Sequence, residues 1–241
     1  MKELIEEIYS CRSRHNCLKE WANCHVPEPF IGNLHSRFAI IGANPGSYGG
    51  QQRSFKNLTD YVNYHEKEFC KSASDWVEDY CEAYSMLVNP GANLTVFNEN
   101  AIILNVIKCS TKIKLSEIPK LDKEQAKSNC IDYLIQQLEN MQPSIILAHG
   151  RFACDAIMGI LRSGTNYEVD EKMSSHSIST LQGLSMEEIS REYIIAKNKK
   201  GRKTLFLFNW HLSWWGKAKK RLNYNIEQKR RIINELLSIP E

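Results

Sequence analysis

The chain lacks any apolar run near the roughly 20 residues that a helix needs to cross a bilayer, which argues against a membrane-spanning protein. Its first residues, Met1–Ile8, are acidic and amphipathic, without the basic start and apolar centre of a secretory signal peptide. Strong charge is also lacking, since the net charge is +3 over 241 residues. We therefore expect a cytoplasmic protein without membrane contact, whose partners must be inferred from local motifs rather than from bulk composition.

The chain has no internal repeat, and its 42% hydrophobic content is enough for one substantial core. We expect a single domain over residues 1–241. Apolar runs predict four strands at 37–42, 101–108, 143–150 and 204–213, and helical spacing predicts helices at 74–87, 125–140 and 151–161. This alternation predicts a three-layer α/β/α sandwich around a central, mostly parallel, four-stranded sheet. The polar segment 163–200 predicts a loop with one short helix near 186–192.

Two predicted strands end in polar residues. The run Phe38–Gly46 passes from an apolar strand into a Gly-x-Asn-Pro-Gly turn that carries Asn44, and the run Thr204–Ser213 ends with His211. Open α/β sheets bind ligands just outside the carboxyl ends of their strands. Asn44 and His211 are therefore the first candidates for chemistry. The alternatives are an Asx turn ahead of a proline for Asn44 and a structural strand-end histidine for His211.

Cysteine is plentiful, with eight residues, yet a disulfide framework is not expected in a reducing cytosol. Thiols there stay free unless they bind metal or take part in redox chemistry. The cysteines therefore raise the question of metal ligation.

Basic residues are clustered in two runs, 197–203 and 217–221, and the second directly follows Trp214 and Trp215. Cationic side chains beside aromatic rings suit phosphate contacts combined with base stacking. The alternative for either run is a solvated basic surface.

Five ordered segments resemble the uracil-DNA glycosylase superfamily, most closely its iron-sulfur bacterial and archaeal branch. The first, Gly42-Ala-Asn-Pro-Gly46, is similar to the first motif of the family in the Asn-bearing form of its mismatch-specific and single-strand-selective branches. The others are Phe55, Leu104-Asn-Val-Ile-Lys-Cys109, the stretch from Cys130 through Pro143 to Ala153, and His211-Leu-Ser213, where the family has His-Pro-Ser. The resemblance covers most of the chain and implies a uracil-DNA glycosylase-like fold.

The resemblance implies a pocket for a base flipped out of DNA. Gly42 belongs to its first motif, Phe55 takes the place of the aromatic that stacks on the base, and Tyr48 would close the wall beside the pyrimidine C5. Asn105 would read the O4/N3 edge of uracil or, with its amide flipped, the N4/N3 edge of cytosine. The alternatives are backbone hydrogen bonds for Asn105 and a satellite-core anchor for Phe55.

Two departures from the family pattern bear on the substrate. The iron-sulfur branch has Glu-Ala where this chain has Ala43-Asn44, and Leu212 replaces a proline, which loosens the loop that carries His211. In N-glycosidic bond cleavage, the Asn44 carbonyl would hold a water against the anomeric carbon. His211 would donate a hydrogen bond to the pyrimidine O2, an effect worth roughly 3 to 4 kcal/mol.

The resemblance also implies a [4Fe-4S] cluster. Its ligands would be Cys11 and Cys17 near the amino terminus, Cys109 at a strand end and Cys130 in the following helix, although the first pair is spaced more widely than the usual Cys-x-x-Cys. Zinc or no metal are the alternatives, because four thiolates suit zinc as well.

The expected partner is DNA carrying a flipped pyrimidine, bound by a monomer. Contacts to it are predicted for Ser213, Trp214, Trp215, Lys217, Lys219 and Lys220, with core packing as the alternative for the tryptophans. The motifs favour a monofunctional DNA glycosylase acting on uracil or another modified pyrimidine. Two readings stay open, namely a glycosylase for bulky modified cytosines in foreign (phage) DNA and a catalytically silent DNA-binding module.

Overall fold

The computed structural model describes residues 1–11, 17–18, 21–22, 27–45, 55–65, 75–210, 212 and 226–237. The strands in these ranges are β1 (Ile31–Gly32), β2 (Phe38–Gly42), β3 (Ala101–Asn105), β4 (Ile145–His149), β5 (Tyr167–Val169), β6 (Tyr193–Asn198) and β7 (Lys203–Asn209). The helices are α1 (Lys2–Tyr9), α2 (Leu58–Asn63), α3 (Asp75–Leu87), α4 (Leu94–Asn100), α5 (Lys120–Met141), α6 (Arg151–Ser163), α7 (Ile178–Gln182), α8 (Met186–Ile189) and α9 (Ile226–Leu237). Among these helices, none is long and apolar enough to span a bilayer.

The strands form one sheet in the order β1-β3-β2-β4-β7-β6-β5. The central strands β3, β2, β4 and β7 are parallel to one another, which confirms the predicted four-stranded parallel core. Apart from Lys203 at the start of β7, their residues are buried on both faces of the sheet, and such strands have the continuous apolar sequences from which they were predicted. Antiparallel strands extend this core, β1 on one edge and β6 with β5 on the other.

Helices cover both faces of the sheet, which confirms the three-layer sandwich. One apolar cluster includes Phe206 and Phe208 of β7 together with residues of α5 and α6. The other includes Leu205 and Leu207 of β7 together with residues of α3, α4 and α9. The alternation of β7 between the two clusters is the period of two that a strand requires.

The prediction of a loop over residues 163–200 is wrong at both ends of the segment, where β5 and β6 lie. The apolar part of β6 is only Tyr193–Ala196, which is too short to separate from a polar loop by pattern alone. A tight turn joins β6 to β7. In it Gly201 has a φ of 77°, a backbone conformation that residues with a Cβ rarely adopt. The first basic run is therefore a β-hairpin, in which Lys197 lies opposite Lys203.

Candidate active site

Four polar or small residues end the parallel strands side by side. The register pairs Gly42 of β2 with Asn105 of β3, and His149 of β4 with Asn209 of β7, while β2 and β4 are themselves paired. On each strand, the residue two positions earlier belongs to the apolar cluster under α3 and α9. Because side chains alternate along a strand, all four positions face that side of the sheet. We call Asn105, Gly42, His149 and Asn209 the strand-end row.

Gly42 leaves room for the side chains on both sides of it. A Cβ atom at this position would lie 2.9 Å from Oδ1 of Asn105 and 3.0 Å from Nε2 of His149. Real Cβ atoms are seldom found so close to other atoms, so the two polar side chains reach over Gly42 only because it is glycine. The first motif thus supplies an opening between an amide and an imidazole.

The amide of Asn105 has a fixed orientation. Its Nδ2 donates a hydrogen bond to Oε1 of Glu28 at 3.1 Å, and both residues are buried. Because a carboxylate only accepts hydrogen bonds, the nitrogen must face Glu28 and Oδ1 must face Gly42. Sequence reasoning missed Glu28, for which the available signal is a carboxylate between two prolines in an otherwise apolar segment.

A buried hydrogen-bond network holds the backbone around this pair. Nζ of Lys108 donates to the backbone oxygen of Asn105 at 2.6 Å and to the side-chain oxygen of Gln137. The amide nitrogen of Gln137 in turn donates to the backbone oxygen of Pro29 at 2.6 Å. Burial lowers the pKa of Lys108 to about 8, and the nearby Cys130 and Glu28 act in the opposite direction. Asn105 and Glu28 are therefore fixed through both their side chains and their backbones.

His149, a member of the strand-end row, also contacts Leu212, the residue after His211 in the chain. Its Nδ1 accepts a hydrogen bond from the backbone N–H of Leu212 at 3.4 Å, which leaves Nε2 as the protonated nitrogen of a neutral ring. The ring lies 5.1 Å from that of Tyr80, centroid to centroid. Burial, followed by the charges of Glu28 and Asp79, raises the pKa of Tyr80 above its usual value, so Tyr80 stays a neutral phenol.

Sequence reasoning placed His149 in one of the resembling segments but gave it no role. The signal was available, because His149 is a polar residue at the end of an apolar strand and before a glycine. The same pattern singled out Asn44 and His211.

The orientation of the Asn44 amide is fixed by Thr111. Nδ2 of Asn44 lies 3.2 Å from Oγ1 of Thr111 and 3.3 Å from the backbone oxygen of Pro45. The Thr111 hydroxyl donates its single hydrogen to the backbone oxygen of Ile113 at 2.7 Å, so toward Asn44 it accepts. This arrangement occupies the nitrogen of the Asn44 amide and leaves Oδ1 as the atom that can accept a hydrogen bond from a water molecule.

Phe55 is half-buried in an aromatic cluster. Its ring centroid lies 5.2 Å from that of Tyr61, 5.5 Å from that of Tyr64 and 5.9 Å from that of His65. The Tyr61 hydroxyl donates to the backbone oxygen of Pro27, so the cluster adjoins the segment that carries Glu28. These contacts suit the alternative of a satellite-core anchor, and stacking on a base stays a prediction.

Several predicted site residues lie outside the described residues: Tyr48, His211, Ser213, Trp214, Trp215, Lys217, Lys219 and Lys220. Their roles stay predictions. Leu212, the neighbour of His211, is described and is 3% exposed.

The four predicted cluster cysteines, Cys11, Cys17, Cys109 and Cys130, are all buried. Burial raises the pKa of Cys130 to about 11, with smaller effects from Lys108, which lowers it, and from Cys17 and Cys11, which raise it. Cys17 and Cys109 pack in one apolar cluster that also contains Leu18, Ile107 and Ala126. The structure thus brings the four thiols into one neighbourhood, which we call the cysteine region.

The cysteine region fits a thiolate-bound metal in its chemistry, because four buried sulfur ligands are the donor set of iron-sulfur and zinc sites. Within the described ranges, however, no group of three or more His, Cys, Asp or Glu side chains has the arrangement of a metal site. Cys81 and Cys154 are buried in the two apolar clusters beside the sheet, away from these four.

Comparison with known proteins identifies the family. A model of the Uracil DNA glycosylase superfamily matches residues 29–236. The type-4 uracil-DNA glycosylase of Archaeoglobus fulgidus is 24% identical over 160 residues, which are 66% of this chain and 64% of that relative. The type-5 uracil-DNA glycosylase of Pyrobaculum aerophilum is 24% identical over 151 residues, which are 61% of this chain and 59% of that relative. The chain therefore spans less than two thirds of the length of these curated relatives.

Proposed function

Because the chain belongs to the uracil-DNA glycosylase superfamily, we propose that it is a monofunctional DNA glycosylase. It hydrolyses the N-glycosidic bond of uracil, or of another modified pyrimidine, after the base has been flipped out of DNA. One observation carries the proposal beyond family membership: the Asn105 amide, oriented by Glu28, presents its oxygen over Gly42. A buried amide with one atom facing an opening at the strand ends is suited to reading the edge of a base.

The orientation of Asn105 limits which base edges it can recognise. Because Nδ2 is bonded to Glu28, the atom over Gly42 is an acceptor and requires a donor on the base. The N3–H group of uracil is such a donor. The exocyclic amine of a cytosine is another, so the same observation favours a modified cytosine as the second candidate substrate.

In the proposed reaction, Asn44 holds the attacking water. Thr111 occupies the nitrogen of the Asn44 amide, and Oδ1 accepts a hydrogen bond from water placed against the anomeric carbon. The bond between sugar and base breaks, and the pyrimidine leaves with its electron pair. Water adds to the sugar cation and loses one proton to the solvent. His211 would donate to the pyrimidine O2 as negative charge accumulates there.

We also propose that the cysteine region holds a [4Fe-4S] cluster through Cys11, Cys17, Cys109 and Cys130, with zinc as the alternative. Four buried thiols in one neighbourhood support this assignment. Such a group supplies a cross-link when bound, joining the end of α1, the segment after β3 and helix α5. DNA is the proposed partner of a monomer, contacted through Ser213, Trp214, Trp215, Lys217, Lys219 and Lys220.

The proposal is tested by single-turnover assays on oligonucleotides that carry uracil, hydroxymethylated cytosine or glucosylated cytosine, in single and double strands. We expect release of at least one base, and a rate lower by on the order of 100-fold or more in Asn44→Ala and in His211→Ala, with DNA binding nearly intact. Asn140→Ala is the control. Asn140 is exposed near the end of α5, close along the chain to the start of β4, whereas the site lies where the strands end. If the unmutated protein binds these oligonucleotides and releases no base, the silent binding module takes the place of the enzyme.

A further inference from the structure

Leu212 makes a backbone hydrogen bond that the proline of the family motif cannot make. Its backbone N–H donates a hydrogen bond to Nδ1 of His149, and a proline has no N–H to donate. The Leu212 side chain is buried, within the apolar cluster under α3 and α9. The departure from the family pattern thus removes a rigid residue and adds a hydrogen bond to a buried imidazole.

His149 is well placed to keep that hydrogen bond. Its side chain is fully buried, with the Tyr80 ring on one side and Nε2 3.0 Å from where a Cβ of Gly42 would lie. The backbone that follows it is also held, since the N–H of Gly150 donates to the backbone oxygen of Asn209 at 2.9 Å. The imidazole therefore lies between Gly42 of the first motif and Leu212 after β7, and it contacts both.

We infer that His149 is a positioning residue that holds Leu212, the residue directly after His211 in the chain, in place through its backbone N–H. This inference rests on the proposed function for its effect on the reaction. The hydrogen bond takes over the task of the missing proline, because an amide fixed to a buried side chain limits the movement of the residues beside it. His211 precedes Leu212 directly in the chain, so we expect loss of this hydrogen bond to slow the step proposed for His211.

The first arm of the test measures the hydrogen bond itself and needs no substrate. Hydrogen exchange of the Leu212 amide is followed by NMR on protein labelled with 15N-leucine, in the wild type, His149→Asn and His149→Leu. The Asn side chain can offer an oxygen near the position of Nδ1, whereas Leu offers no acceptor. We expect exchange to quicken by on the order of 10-fold in His149→Leu and to stay within about 3-fold in His149→Asn. Equal exchange in all three proteins would overturn the inference.

The second arm measures the chemical step in a double-mutant cycle with Leu212→Pro, which removes the donor and supplies the proline. We expect His149→Leu to slow single-turnover base release by on the order of 10- to 100-fold in the wild-type background, with DNA affinity little changed. In the Leu212→Pro background the same change should cost less than about 3-fold. Additive effects would contradict the inference.

Two further results keep the arms separate. His149→Asn should retain most of the rate, and a loss as deep as that of His149→Leu with Leu212 still protected would assign the effect to Nε2 instead. The control His35→Leu alters an exposed histidine and should change neither readout. If the wild type releases no base, the proposed function fails, but the exchange measurement still tests whether His149 accepts the hydrogen bond. The exchange measurement also tests the inference if Leu212→Pro does not fold.

Discussion

The strand-end row and the cysteine region are close along the chain, at Asn105 and Cys109, yet they are held in different ways. In the row, hydrogen bonds fix the orientation of two polar side chains, Asn105 through Glu28 and His149 through Leu212. In the cysteine region, the thiols lie among apolar residues, and burial raises the pKa of Cys130 to about 11. Asn105 and His149 are therefore oriented by the protein alone, whereas the cysteines become charged ligands only when a cation offsets the cost of burying thiolates.

One segment connects the two regions. Thr111, which orients the Asn44 amide, forms an isolated β-bridge with Ala22, and the N–H of Lys112 donates to the backbone oxygen of Trp21 at 2.9 Å. Trp21 is fixed in turn by a hydrogen bond from its indole to Asp122 of α5 at 3.2 Å. We therefore expect substitutions in the cysteine region to lower the reaction rate only slightly, through the position of Thr111. Their direct effect should be on the stability of the fold.

Within the comparison of the row with the cysteine region, the largest effect is expected for Gly42→Ala, which fills the space over Gly42. The added methyl group would lie 2.9 Å from Oδ1 of Asn105, which cannot rotate away while Nδ2 stays on Glu28, and His149 blocks the other side. We expect the single-turnover rate to fall by on the order of 100-fold, with a loss of about 1 to 3 kcal/mol in the free energy of unfolding. Rates at saturating enzyme and urea unfolding measure the two quantities.

Gly159→Ala is the matched control for this change, because Gly159 lies in α6 and a Cβ there would have no atom within 4 Å apart from the nearby backbone of its own helix and its two chain neighbours. It should leave the rate unchanged and stabilise the helix slightly. A normal rate in Gly42→Ala would mean that the base does not bind over Gly42.

The second effect is on folding, and it concerns the cysteines. Anaerobically purified protein should be brown and contain about four irons per chain. In Cys130→Ala the iron should be lost and the free energy of unfolding should fall by at least about 3 kcal/mol, against about 1 kcal/mol for the buried but separate Cys154→Ala. Colourless protein with stoichiometric zinc would remove the iron-sulfur assignment, and equal losses in the two variants would argue against any bound metal.

The sequence predicted the parts of this comparison that depend on local pattern. The parallel strands were identifiable because strands buried on both faces, such as Ala101–Asn105, are continuously apolar. Asn44 stood out as a polar residue at the end of such a strand, and Asn105 as a polar residue within the apolar run 101–108. The antiparallel strand β6 was missed because its apolar part is short and its last residues, Lys197 and Asn198, resemble a loop.

The partners that orient the two amides could not be predicted from the sequence, for a different reason. Glu28 and Thr111 act on Asn105 and Asn44 from far along the chain, and no local period relates the members of either pair. Their contribution is the direction in which an amide points, which a sequence pattern does not encode. Only the assembled sheet brings each acceptor to its amide.

The smallest of the three effects is expected for Thr111, which lies in the segment that connects the two regions. Thr111→Val keeps the shape of the side chain but removes one of the two oxygens that accept from Asn44. The amide then keeps only the backbone oxygen of Pro45, so it can turn its nitrogen toward the water more easily. We expect the single-turnover rate to fall by on the order of 10-fold, with the iron content unchanged. Thr111→Ser keeps the hydroxyl and should retain most of the rate, which separates the hydrogen bond from packing, since Thr111 is buried. If Val and Ser slow the reaction equally, Thr111 acts by filling space and the orientation of Asn44 has another cause.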